Sequence, residues 1–229
     1  MKKHLGYILL GALIGMAIVV ASYVVSTIFN IKSEYITNFL VIVGLIILVV
    51  GFIYNMIYVS KYRKRTYQQI ELLNNHQADL ALKDMQDMYH ELEKKGPKNL
   101  LQLVKLNMSA AHCDLKEYDK ALNLLLEISD NDLATNERFI HQLNICACYF
   151  YLDRAQEAVA IYEQNEKLFD KFRENKIYGG NVAVITIFVL LAKNEKAKAK
   201  KLYEESRKKW HNPRLDDDFA YIEKQIKTN

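Results

Sequence analysis

Two long apolar segments near the N-terminus constrain the fold of this chain more than any other feature. Residues 5–29 and 35–60 contain no Asp, Glu, Lys or Arg. Spans of 25 residues, 5–29 and 35–59, would extend about 37 Å as helices, enough to cross roughly 30 Å of hydrocarbon with some tilt. Residues 1–60 are therefore predicted to form a two-helix transmembrane hairpin. A cleaved signal peptide is the alternative for the first span, but its apolar core is about twice as long as a signal sequence needs.

Basic residues predict the orientation of this hairpin. Lys2 and Lys3 precede the first span, whereas the connector 30–34 carries one charge of each sign. Four basic residues follow the second span: Lys61, Arg63, Lys64 and Arg65. Under the positive-inside rule, we expect a multi-pass protein of the cell membrane with both termini in the cytoplasm. The four basic side chains are also expected to attract anionic lipid headgroups.

A pair of small residues lies in the first span. Gly11 and Gly15 are four residues apart, a spacing that lets helix backbones approach closely. We expect this pair to pack span one against span two, and a homodimer formed through Gly11 and Gly15 is the alternative. Neither span contains a charged residue, which argues against an ion path through the membrane.

Residues 61–229 have the composition of a soluble helical part. They hold 28 of the 31 basic and 26 of the 27 acidic residues, a net charge of +2. No nucleic acid partner is expected, because phosphate binding needs a concentrated basic face. Only three Gly and two Pro occur in this part, which leaves little room for β-hairpin turns and favours helices throughout.

The soluble part is expected to begin as an extension of the second span. No helix breaker precedes Asn74 and Asn75, so residues 61–75 are predicted to form a juxtamembrane helix that continues span two. A helix over about 77–95 follows. Residues 76–229 are expected to form the helical domain.

An internal repeat follows within this domain. Residues 106–113 are similar to residues 143–150, and residues 184–192 form a looser copy. An alanine-centred helix follows each copy, with alanines 121, 158 and 199 spaced 37 and 41 residues apart, and Ala81 marks a weaker, earlier copy. Periods of this length with two helices each are typical of an α-solenoid.

The repeats resemble tetratricopeptide (TPR) repeats over about residues 75–210. The matching positions are a small residue in the first helix, a joint residue, the anchor alanine and a bulky residue four places on, for example Cys146, Ala155, Ala158 and Tyr162. The periods exceed the usual 34 residues, and the Trp and the closing Pro of the TPR pattern are absent. The resemblance implies an all-α fold: a TPR-like solenoid of about three to four helical hairpins plus a C-terminal capping helix. Pro213 is expected to end the preceding helix, and Asp216 suits the N-terminus of the last one. Phe219, Ile222 and Ile226 form one apolar stripe on that last helix.

The sequence contains no arrangement typical of an enzyme. There is no phosphate-binding glycine loop and no Gly-x-Ser-x-Gly element. No His pair has the spacing of a helical zinc site, and Cys146 and Cys148 point away from each other on a helix. The odd count of 3 cysteines is no disulfide framework and favours a reducing compartment, with each thiol a small buried side chain. We expect no catalysis, cofactor or metal.

A binding surface is the favoured site. In TPR modules the first helices line a concave face, which here implies a lining of Leu106, Asn107, Ala110, Leu143, Asn144, Ala147, Phe150, Tyr151 and Phe188. Such a lining would seat an apolar peptide or an amphipathic helix. Related TPR modules use asparagine near these two positions to hold a peptide backbone, although the basic residues of a carboxylate clamp are absent. The alternatives are that the protein's own helices fill the groove and that the asparagines hydrogen-bond between helices.

A second basic cluster lies between Lys193 and Lys209. Many positive charges fall on one helix, and a solvated face that pairs with acidic side chains is expected. Contact with the membrane surface or with an acidic partner is the alternative.

These features predict a membrane-anchored TPR-like scaffold that binds a protein or peptide partner at the cytoplasmic face of the membrane. The richness in Lys, Ile, Asn and Tyr suggests a bacterial source. The alternative function is a structural subunit of a larger membrane complex that assembles through the transmembrane spans.

Overall fold

The computed structural model describes Gly15 and residues 18–24, 26–28 and 32–228. Of the described residues 85% are helical and none lies in a strand, which confirms the predicted all-α class. The chain divides into two compact units, Met1–Thr66 and Tyr67–Asn229. The predictions for Lys2, Lys3, Gly11 and most of the first span fall outside the described residues.

The described residues of the first unit lie mainly in two apolar helices. They are α1 (Ile18–Ile28) and most of α2 (Ser33–Asn74), a helix of 42 residues. Within the described part of the chain, α2 is the one helix long and apolar enough to cross a bilayer, judged by length and composition. Most of its large apolar side chains between Tyr35 and Val59 are exposed. The helix ends at Asn74, where the sequence has its first stop signal.

The second unit consists of the end of α2 and nine further helices. These are α3 (Ala78–Lys95), α4 (Lys98–Asp114), α5 (Tyr118–Leu126), α6 (Thr135–Tyr151), α7 (Ala155–Gln164), α8 (Glu166–Phe172), α9 (Gly179–Ala192), α10 (Lys196–Lys209) and α11 (Asp216–Thr228). Short 3₁₀ turns precede α6 and α11, at Asp130–Asp132 and Pro213–Leu215.

One type of turn recurs four times and divides the unit into helix pairs. Its central residue has a positive φ in each case: His76 (57°), Lys116 (60°), Asp153 (57°) and Asn194 (60°). The N–H of this residue donates to the carbonyl three residues earlier, and the next N–H donates to the carbonyl five residues before it. These bonds satisfy the last carbonyls of the first helix, as in the Schellman motif. The pairs are therefore α2–α3, α4–α5, α6–α7 and α9–α10.

A fully buried alanine follows each turn residue by five positions. These alanines are Ala81, Ala121, Ala158 and Ala199, all 0% exposed. Since a methyl group is all that fits there, the second helix of each pair packs closely against the first. The first pair has the same geometry as the others, and Gln69 of α2 donates to Asp84 of α3 across it at 2.6 Å.

Successive pairs pack mainly through the second helix of one pair and the first helix of the next: α3 contacts α4, α5 contacts α6, and α7 contacts α9. Three of the first helices also contact one another, α4 with α6 and α6 with α9. α11 packs on α9 and α10 with Phe219 and Ile222 buried, the apolar stripe expected of the last helix. The first helices of the second, third and fourth pairs therefore lie side by side.

Two local features differ from the sequence-based expectation. α8 was not predicted; it brings Phe172 against Phe139 of α6, with ring centroids 4.0 Å apart. Pro213 does not end the preceding helix, because α10 stops at Lys209 and Pro213 starts a 3₁₀ turn. A proline favours the first position of such a turn because its missing N–H would have no partner there.

The buried alanines can be tested by substitution. Ala158→Leu should lower the free energy of unfolding by about 1–3 kcal/mol, because the added carbons have to enter a filled helix crossing. Ala160 of the same helix is exposed, so Ala160→Leu is the matched control and should change stability by less than about 0.5 kcal/mol. Denaturant unfolding followed by circular dichroism measures both, and equal losses would contradict close packing at Ala158.

Candidate functional site

The nine residues predicted to line a binding face lie on three contacting helices. α4 carries Leu106, Asn107 and Ala110; α6 carries Leu143, Asn144, Ala147, Phe150 and Tyr151; and α9 carries Phe188. Four of the apolar side chains, Leu106, Leu143, Phe150 and Phe188, are buried in the core. The other five residues are half-buried. The predicted face therefore offers fewer accessible apolar groups than its sequence suggests.

The C-terminal helix covers one end of this face. Tyr221 of α11 packs against Tyr151 and Phe188, with ring centroids 5.3 and 5.8 Å apart. The Tyr151 hydroxyl donates a hydrogen bond to the Asp218 carboxylate. The aromatic part of the predicted lining is thus occupied by the protein's own chain, whereas the asparagines and alanines of α4 and α6 stay half-exposed.

A polar clasp connects the segment before α11 to the first two helix pairs. The Arg214 guanidinium donates to both carboxylate oxygens of Asp114, at 2.9 and 2.8 Å, and to Oδ1 of Asn74 at 2.9 Å. Lys116 and Asp217 form an ion pair at 3.4 Å nearby. Since both ion pairs are partly exposed, each stabilises the fold by only about 0–1 kcal/mol, but they set where α11 begins.

Burial perturbs the two groups that join α11 to α6. It raises the pKa of Asp218 from its ordinary 3.8 to about 6, with the neighbouring Asp217 and Asp114 adding to the rise and the Tyr151 hydrogen bond opposing it. Burial also raises the pKa of Tyr151. The Tyr151 hydroxyl therefore stays protonated and remains a hydrogen-bond donor, whereas Asp218 is the member of the pair that titrates near neutral pH.

Asn107 and Asn144 occupy matching positions on α4 and α6, nine residues before their turn residues. Nδ2 of Asn107 is buried and has no acceptor among the described residues. An unpaired buried amide donor costs roughly 1–3 kcal/mol. Asn107 as a whole residue is half-exposed, so rotation of its side chain would present this donor to a carbonyl oxygen brought by a ligand.

A cluster that the sequence did not predict adjoins this face. The Tyr118 and Tyr151 rings are stacked at 4.5 Å, and Sγ of Cys113 lies 3.6 Å from Sγ of Cys148. These contacts join residues about 35 positions apart, so local spacing carried no sign of them. Cys146 faces elsewhere, toward the Ala158 carbonyl at 3.6 Å, in agreement with the divergence expected for Cys146 and Cys148.

At least four of the eight basic residues between Lys193 and Lys209 form ion pairs. Lys193 pairs with Glu163, Lys198 with Glu195, Arg207 with Asp216 and Lys209 with Glu174, at 2.5–2.9 Å. This arrangement favours the solvated, paired face over a free basic patch. The other basic cluster lies on α2, where Lys61, Arg63 and Lys64 are exposed.

The described residues contain no group of three His, Cys, Asp or Glu side chains that could hold a metal ion. The buried histidines have structural partners instead. His112 Nδ1 lies 2.6 Å from Glu117, and His141 Nδ1 lies 2.7 Å from Asp130 while its Nε2 lies 2.9 Å from the Leu125 carbonyl oxygen. Both histidines thus help to hold the turn or loop next to their own helix.

Comparison with known proteins identifies no relative. No protein family, no curated protein and no solved structure matches this chain. The TPR resemblance therefore stays an interpretation of the repeat spacing, and the function is inferred from the residues themselves.

Asp218→Asn should stabilise the domain at pH 7. Because the folded-state pKa of about 6 lies above the ordinary 3.8, the folded protein binds this proton more tightly than the unfolded chain does. The free energy of unfolding should therefore fall as pH rises from about 4 to about 6. Asparagine can still accept from Tyr151 and should lack this decrease, with a gain of about 1–2 kcal/mol at pH 7 after allowing for partial exposure.

Asp87→Asn is the matched control, since Asp87 is exposed on α3. It should change stability by less than about 0.5 kcal/mol at any pH. Denaturant unfolding between pH 4 and pH 8 measures both variants, and an Asp218→Asn protein less stable than wild type at pH 7 would contradict the assignment.

Proposed function

We propose that this chain is a membrane-anchored scaffold whose TPR-like domain binds a protein or peptide partner at the cytoplasmic face of a bacterial cell membrane. The observation that carries the proposal is the buried amide donor of Asn107, which has no acceptor among the described residues. It lies near the position at which related TPR modules use asparagine to hold a peptide backbone. The proposal assigns the chain no catalytic step.

The recurring helix pair supports a TPR-like solenoid. Four identical turns are spaced 40, 37 and 41 residues apart, and each is followed by a buried alanine. From the second pair to the fourth, first helices contact first helices, α4 with α6 and α6 with α9. Stacked helix pairs of this kind bury a continuous core and leave the first helices along one face.

The proposed groove is the part of that face that α11 leaves uncovered. Tyr67 and Ile70 of α2 lie nine and six residues before their turn residue, as Asn107 and Ala110 do on α4. Tyr67 is 66% exposed and Ile70 is 40% exposed. Apolar side chains beside a small residue and an unpaired donor suit a peptide whose carbonyl accepts from the asparagine and whose apolar side chains contact α2.

The apolar exterior of α2 supports the membrane anchor. Its side chains from Phe39 to Ile57 are mostly 50–70% exposed, and residues 35–59 contain no charge. Such an apolar surface is unfavourable in water and favourable in lipid. The basic cluster that starts at Lys61 then supports a cytoplasmic position for everything after it.

Site-specific cross-linking in cells tests the groove. A photoreactive residue in place of Ala110 or Ala147 should give adducts of defined mass, because both positions are on the uncovered face. Ala160 and Ala197 are exposed on second helices and serve as controls that should give none. Asn107→Ala should reduce the yield about tenfold, the effect of losing one buried hydrogen bond. Equal adducts from all four positions, or none from Ala110 and Ala147, would refute the groove.

Membrane topology is tested separately. A reporter fused after Asn229 should be active only in the cytoplasm, and the protein should stay with membranes in high salt, since burial of an apolar helix does not depend on charge. An active reporter outside the cell, or release by salt, would remove the anchor from the proposal.

A cleft in the first unit favours the alternative, a subunit of a larger membrane complex. The cleft has a volume of about 410 Å³, and apolar side chains dominate its lining: Ile18, Val19, Ser22, Tyr23, Ile36, Thr37, Leu40 and Val41. A Cβ on Gly15 would meet no atom of the described residues within 4 Å, so a helix from a partner or from a second copy of this chain could approach closely there. Side chains of another transmembrane helix would fill such a cleft.

Replacement of residues 1–60 by an unrelated hairpin distinguishes the two functions. Cross-linking through Ala110 and Ala147 should survive the replacement if the groove recruits the partner. Loss of the adducts, with the replaced protein still in the membrane and folded, would favour assembly through the spans.

A further inference from the structure

Two thiols face each other between neighbouring helices. Cys113, in the last turn of α4, and Cys148, in α6, have their Sγ atoms 3.6 Å apart. Cys113 is half-buried, whereas Cys148 is fully buried. The third thiol does not compete, because Cys146 is buried and faces the Ala158 carbonyl. The chain thus holds one accessible thiol with one buried thiol directly behind it.

The surroundings keep this pair protonated and in place. The neighbouring Cys148 thiol and burial raise the pKa of Cys113 well above its ordinary value, and the carboxylates of Asp114 and Asp218 add to the rise. Tyr118, stacked on Tyr151, lies beside the pair, and burial raises its pKa to about 12. Since the thiolate is the reactive form, Cys113 should react slowly at neutral pH and faster as pH rises.

We infer that Cys113 and Cys148 are a redox pair that closes reversibly to a disulfide when a peroxide reaches Cys113. The S–S bond needs a separation of about 2.05 Å, and side-chain rotation from 3.6 Å brings the sulfurs together across the contact of α4 with α6. The inference stands on this geometry and does not depend on the proposed partner or on the membrane anchor.

The chemistry balances with hydrogen peroxide as the oxidant. The Cys113 thiolate attacks one peroxide oxygen, an S–O bond forms, the O–O bond breaks, and the second oxygen leaves as water. Cys148 then attacks the Cys113 sulfur, forms the S–S bond and releases the hydroxyl as a second water. The two thiols lose two electrons and both protons, and the peroxide takes them up. Cys113 attacks because it is the more accessible of the two, and Cys148 resolves because it is the nearest other thiol.

The disulfide would change the domain physically. It would close a loop between residues 35 positions apart, which restricts the unfolded chain, and the oxidised protein should melt roughly 5–10 °C higher than the reduced one. It would also tie together the helices that carry Asn107 and Asn144, so that the spacing of these two side chains would be held in the oxidised state.

Differential alkylation of the full-length protein in detergent micelles tests the inference. After hydrogen peroxide, Cys113 and Cys148 should lose their free thiols in parallel, a cross-linked peptide should join them, and dithiothreitol should restore both. Cys146→Ser, the matched control, should behave like wild type. Cys148→Ser should stop at a sulfenic acid on Cys113 that dimedone traps, and Cys113→Ser should leave Cys148 unmodified.

Several results would overturn the inference. One is wild-type Cys113 oxidised to sulfinic acid without a cross-link, and another is a disulfide only between chains. A third is that the folded protein keeps both free thiols at pH 9 under conditions in which the urea-unfolded protein is oxidised. Melting of the untreated and oxidised wild-type protein gives a readout that needs no variant: an unchanged or lower Tm would also count against the pair.

Discussion

Each helix pair of the second unit turns back through a residue held at positive φ, and five positions later a buried methyl group lets the two helices close on each other. Non-glycine residues occupy this conformation at a cost. The two hydrogen bonds of the turn and the close packing that follows offset that cost. The same turn and buried alanine occur four times, and this repetition aligns α4, α6 and α9. Every property of the candidate face depends on that alignment.

Alignment of the first helices also explains why the face is divided. Large residues near the end of the array, such as Phe150 and Phe188, are covered because α11 packs where a further pair would begin. Smaller residues on α4 and α6 have no helix over them. A buried amide at Asn107 without an acceptor is unusual, because nearly all buried polar groups in proteins are paired. Tyr67 and Ile70, which are exposed at the corresponding register of α2, extend the uncovered end from α4 to α2.

Hydrophobic period and residue size predicted the parts of the fold that depend on local spacing. The alanine interval identified positions that are all fully buried, the end of α2 lies at Asn74, and the stripe of α11 faces its neighbours. The turn residues were missed because none is glycine, and α8 was missed because seven residues carry too little periodic signal. The register of the sequence predicts which residues lie on the candidate face, but it does not predict which side chains cover them. Register predicted Phe188 in the lining of the binding face, but it does not predict that Tyr221 covers that side chain. The contact of Cys113 with Cys148 likewise depends on how α4 and α6 pack.

The hydrogen bonds of Arg214 affect how the domain unfolds. A row of helix pairs, each touching only its neighbours, loses order from its two ends inward. Here a guanidinium next to the last helix holds Asn74 of the first pair and Asp114 of the second. Fraying of either terminus would first have to break a bond to the other. The domain should accordingly resist piecemeal opening and behave more nearly as a single cooperative body, in which a disturbance at the end of α2 is felt at α11.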